Sequence, residues 1–120
     1  MTPSADEPSP ITWVRWWGIG LAAVTAVVHL VLGVDFLPHW MGIAFLSATA
    51  GFVFGIVLVV LAYRRRLVYL AGIPFTGGQL VLWYALNQPS ALVDLTWIEV
   101  VDKVAQALLI VTLLVLLHRE

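Results

Sequence analysis

The feature that most limits what this chain can fold into is a series of four apolar stretches, each as long as a bilayer is thick. A spanning helix needs about 20 mostly apolar residues to cross a hydrocarbon core of roughly 30 Å. Residues 13–34, 41–63, 67–86 and 97–117 meet that requirement. Of the 120 residues, 62% are hydrophobic and 11% charged. A soluble domain of this size has too little interior to hide that much apolar surface, whereas lipid tails solvate it. The sequence therefore predicts an all-α integral membrane domain over residues 11–120: four antiparallel transmembrane helices in an up-down bundle. The connections, VDFLPHW, RRR and NQPSALVDLT, are short enough to make successive helices antiparallel neighbours.

Residues 1–10, MTPSADEPSP, hold three prolines and two acids. They lack the positive n-region and short apolar stretch of a signal peptide. They read as a disordered tail, with the first helix beginning near Ile11 or Thr12.

Basic residues set the orientation. Arg15, Arg64, Arg65, Arg66 and Arg119 share one side with both termini, and Lys103 is the exception. Asp35, Asp94, Glu99 and Asp102 fall on the other side. The expectation is a multi-pass protein of the cell membrane with both termini cytoplasmic. Aromatic belts agree: Trp13, Trp16, Trp17, Tyr63 and Tyr69 lie at the inner interface, and Trp40, Trp83, Tyr84 and Trp97 at the outer one. Arg15 can snorkel to the inner headgroups, and the arginine run is a topological anchor that meets anionic lipid.

Several chemistries are excluded. A net charge of −1 argues against nucleic acid as a partner. The absence of cysteine removes thiolate catalysis and cysteine-ligated metals. His29, Asp35 and His39 fit no metal motif of defined geometry. His29 and His118 fall on opposite sides of the membrane, which disfavours a bis-histidine haem. No phosphate-cradling loop, nucleophile elbow or metalloprotease motif is present. No cofactor is expected, and enzymatic chemistry is the weakest of the readings.

Small residues predict where helices approach, because close packing drives association in lipid. Ser47, Gly51 and Gly55 recur at four-residue spacing in the second span, with Ala44 and Ala48 alongside. Gly18, Ala22 and Ala26 do so in the first. These stripes suit internal packing or, alternatively, a homo-oligomer face. In the third span Pro74 removes an N–H and crowds the carbonyl of Leu70, which predicts a kink. Gly77 and Gly78 add a second soft point. A broken helix lining a transport site is the other reading of that pattern.

Ionisable residues inside a span are costly and are functional candidates by default. In the fourth span Glu99, Asp102, Lys103 and Gln106 share one helical face. Glu99 precedes Lys103 by four residues, the favourable order for an ion pair. At 1.5 Å per residue, His29 lies roughly 7 Å and Gln79 roughly 10 Å deep, with Asp102 and Lys103 at about 8–9 Å. Three helices thus place polar groups in one outer layer. That layer is either a hydrogen-bonded clasp or a site for an ion, a proton or a polar headgroup.

The segments GLAAVTAVVHLVLGV, YRRRLVYLAGIPFTGGQLVLWYALN and VDKVAQALLIVTLLVLL resemble a family of small four-span membrane proteins of halophilic archaea with no assigned activity. The most specific marks are His29, the arginine-rich turn and Asp102-Lys103. The resemblance implies topology and no mechanism. From the residues, the first functional expectation is a non-enzymatic binding or accessory subunit of a membrane complex. Its ligand or ion site would comprise His29, Gln79, Glu99, Asp102, Lys103 and Gln106. The second is a proton- or ion-coupled transporter or channel acting as a homo-oligomer. Partners are the bilayer and either further copies or another membrane subunit.

Overall fold

The computed structural model describes residues 10–87 and 96–120. Residues 1–9 of the expected disordered tail and the stretch containing Asp94 lie outside the described residues, whereas Pro10, read as tail, belongs to the first helix. Four helices follow in order: α1 (Pro10–Phe36), α2 (Trp40–Val60), α3 (Arg65–Asn87) and α4 (Trp97–Arg119). Each is long and apolar enough to span a membrane.

Helix ends follow local chemistry. α1 begins at Pro10 and not at Ile11 or Thr12, because a proline ring is pre-set for the first helical position and its missing N–H costs nothing there. His39 caps α2 by accepting from the Met41 N–H at 3.1 Å. α2 stops at Val60, short of the predicted 63, because Ala62 leaves the helical region with φ 56°. The Ala62 N–H then donates to the Val59 carbonyl, and the Tyr63 N–H donates to that of Leu58. This is a Schellman ending in which alanine stands where glycine is usual. Arg64, also at positive φ, accepts the first hydrogen bond of α3 from Val68. Arg65 braces the turn by donating Nε–H to the Val59 carbonyl at 2.9 Å. Thr96 caps α4 by accepting from the Glu99 N–H at 3.2 Å.

α1 packs along α2 and α4, and α4 along α3. α2 and α3, separated by only four residues, meet more loosely than the other neighbouring pairs and do so through side chains such as Phe75 against Phe52. The expectation that successive helices pack as neighbours is met least tightly there. The tight turn fixes their ends and not their faces.

α1 and α2 meet most closely through glycines. A Cβ on Gly42 would come within 2.7 Å of the Gly33 carbonyl oxygen, so only glycine admits this approach. The small stripe of α1 faces inward: Ala22 and Ala26 are buried, and Gly18 lies against Thr112 and Leu116 of α4. In the α2 stripe, Gly51 faces Phe75 and Gly55 faces Val68, both in α3. Ser47 is exposed and donates its hydroxyl to the Ile43 carbonyl, so it packs against no other helix. α3 runs unbroken through Pro74, Gly77 and Gly78.

The core is one cluster, centred on Leu21, Phe52, Tyr69, Leu109, Leu113 and Leu116. Outside it, large apolar side chains such as Phe54, Val81 and Leu82 point outward. Such a surface matches hydrocarbon far better than water.

Candidate functional site

Asp102, Lys103, Gln106 and Gln79 come together, with pairings different from those expected. The centre is Asp102, which is 2% exposed. One carboxylate oxygen accepts from the Thr25 hydroxyl of α1 at 2.5 Å. The other accepts from Lys103 Nζ at 2.8 Å. Lys103 also donates to Gln106 Oε1 at 3.4 Å, and Gln106 Nε2 donates to Gln79 Oε1 at 3.0 Å. Gln79 in turn donates to the Phe75 carbonyl at 3.1 Å. One chain of hydrogen bonds therefore runs from α1 through α4 to α3. Buried polar groups require such partners.

His29 stands at the edge of this chain, 4% exposed and edge-on to Phe45. Its Nδ1 lies 2.8 Å from the Thr25 carbonyl. A carbonyl can only accept, so Nδ1 carries a proton. Nδ1 is also 3.8 Å from Asp102 Oδ1, close enough to feel the charge without bonding to it. Among the described residues, Nε2 has no hydrogen-bond partner.

Glu99 departs from expectation. It makes no ion pair with Lys103, although their i,i+4 spacing allows one. Its carboxylate accepts from the Trp83 indole at 3.3 Å and from the Thr96 hydroxyl at 3.3 Å. Lys103 turns the other way, to Asp102, with its Nζ 5.2 Å from the centre of the Trp83 ring. Buried Asp102 offers lysine a drier partner, where the attraction is stronger. Asp35 and His39 are exposed and stand apart from His29, and no cluster of three or more His, Asp or Glu comes together among the described residues.

Sequence reasoning missed Thr25 and Trp83. Thr25 is fully buried and precedes His29 by four residues, a same-face spacing that could have flagged it. Trp83 reads as a belt residue, and nothing in its spacing signals a bond to Glu99.

A second polar cluster lies at the opposite end. Arg15 of α1 forms an ion pair with Glu120, its Nε donating at 2.8 Å. Burial pushes the Glu120 carboxyl up, but its contacts with Arg15 and Tyr69 and the charges of Arg15 and Arg65 outweigh that. The net effect holds it below the usual carboxylate range. Arg66 donates to the Leu117 carbonyl at 2.9 Å.

Between these clusters, a cavity of about 550 Å³ runs along the slack α2–α3 side. It reaches from Gly51 and Thr76 to Tyr63 and Arg64.

Comparison with curated proteins gives no match, and comparison with solved structures gives none either. A family model described as a family of unknown function, DUF7475, matches residues 4–117. The chain belongs to that family.

Proposed function

We propose that this chain is a non-enzymatic membrane protein, a binding or accessory subunit of a membrane complex, that works through its polar layer. Both termini face the cytoplasm and the polar layer faces outward, in the cell membrane of a halophilic archaeon. The arginines at the terminal end support that orientation.

The carrying observation is the buried carboxylate of Asp102, shared by Thr25 and Lys103, with the open Nε2 of His29 beside it. Neutral hydrogen bonds suffice to clasp helices. A buried charge pair often returns less than its desolvation costs, and ionisable residues inside a span are functional candidates by default. The open imidazole nitrogen is the position at which a small polar ligand or a partner's donor enters. Asp102→Asn and Lys103→Met test this. Both variants should lose the bound ligand or the partner subunit when the protein is extracted gently from its own membrane. Normal assembly and retention in both would sink the reading.

One observation favours a second reading, a proton-coupled transporter. Protonation of His29 would place a cation 3.8 Å from Asp102, an ion pair where there is now only proximity. Proteoliposomes should then show proton flux that Asp102→Asn abolishes, and the absence of flux under any gradient removes this alternative.

A further inference from the structure

We infer that the α2–α3 cleft is a binding site for one anionic phospholipid of the inner leaflet, with an acyl chain inside the bundle and its headgroup on Arg64. The inference rests on the membrane orientation proposed above but not on the polar layer.

The volume of about 550 Å³ falls in the range of sites that enclose small molecules, roughly 300–1,000 Å³. Its walls are mostly apolar side chains and glycine backbone, with Phe52, Leu109 and Leu113 at the back and Thr76 at its deep end. Exposed Phe54, Leu67 and Ala71 flank its mouth, which therefore opens sideways toward the bilayer. Along α3 it runs from Arg64 to Thr76, about 18 Å at the helical rise. Half of a hydrocarbon core roughly 30 Å thick is about 15 Å. The cleft is thus one leaflet deep, and it begins at the headgroup level.

Charge selects the class of lipid. Five arginines, Arg15, Arg64, Arg65, Arg66 and Arg119, gather at that end, against the single carboxylate of Glu120 among the described residues. Glu120 is taken by Arg15. Arg65 and Arg66 donate to neutral carbonyls, although the charge of Arg65 also reaches Glu120. Arg64 lines the cleft and lies over the Tyr63 ring at 5.5 Å, with no carboxylate partner among the described residues. An anionic phosphodiester supplies the counter-charge that Arg64 lacks among the described residues.

The test uses full-length protein in nanodiscs of phosphatidylglycerol and phosphatidylcholine with identical chains, followed by mild extraction and native mass spectrometry. One phosphatidylglycerol should remain per chain. Ala71→Trp and Gly55→Leu, which fill the cleft from its two sides, should each cut retention about tenfold. Arg64→Gln should keep a lipid but lose the preference between headgroups. Asp102→Asn should retain lipid as the parent does, which separates this site from the polar layer. Absence of retained lipid, equal retention of both headgroups by the parent protein, or full retention in both filled variants would overturn the proposal. A lipid-free dimer that cross-links through Ala71→Cys would also overturn it, by giving the cleft to a second copy.

Discussion

Thr25 donates a 2.5 Å hydrogen bond to Asp102, a residue 77 positions further along the chain, and so ties the first helix to the last. The acceptor is charged and both residues are buried, so the bond belongs to the stronger class. Thr25→Val should cost about 1–2 kcal/mol in unfolding from detergent micelles. Lys103→Met should cost more, about 3 kcal/mol, because it strands a buried carboxylate. Adding Asp102→Asn to Lys103→Met should recover part of that loss. A double variant no more stable than Lys103→Met alone would contradict the pairing.

The glycine crossing of α1 and α2 makes a sharper prediction. An alanine Cβ at 42 would meet three backbone atoms at 2.7–3.0 Å, and backbone cannot rotate aside. Gly42→Ala should lower stability by about 2 kcal/mol or more. Gly20→Ala, with nothing within 4 Å of the added carbon, should change it by less than about 0.5 kcal/mol. Thermal unfolding of the two variants side by side is the check.

Ala62 offers a gain in stability. It holds the left-handed position of the α2 ending at φ 56°, where a Cβ costs roughly 1 kcal/mol. Ala62→Gly should therefore raise the unfolding temperature. An unchanged or lower temperature would mean that the turn tolerates its alanine without strain.

Stability should also depend on acid through Glu120. Its carboxyl is held below the ordinary value in the folded protein, so its pairing contributes fully above about pH 4.3. The contribution fades as pH falls through the lower folded value. Unfolding temperature measured against pH should drop in that window for the parent protein. Arg15→Gln and Glu120→Gln should each flatten the drop.

Orientation can be read directly, because the sequence holds no cysteine of its own. Asp35→Cys should react with a membrane-impermeant maleimide on intact cells. Arg119→Cys should react only after permeabilisation. The reverse pattern would invert the topology and move the lipid site to the other leaflet.

Much of this architecture is legible in the residues. Length and hydropathy give four helices because crossing a bilayer demands both, and depth along each helix gives the polar layer. Rotation about each axis is less legible. His29, Gln79, Asp102 and Gln106 do meet or nearly meet, yet Thr25 joins them unannounced and Glu99 turns to Trp83. Apolar residues surround each helix almost completely, so no amphipathic stripe fixes which face turns inward. The Gly33–Gly42 crossing was hidden for a related reason. Its two glycines sit in different helices at the α1–α2 turn, outside any four-residue repeat. The slack between α2 and α3 depends on packing choices made by α1 and α4.

The bond from Thr25 to Asp102 also has a consequence for biosynthesis. α1 leaves the ribosome before α4, so Thr25 is made long before its acidic acceptor exists. Until then its hydroxyl can donate only within its own helix, as Thr112 does to the Leu108 carbonyl. The first helix is therefore fastened to the last only once all four have been made.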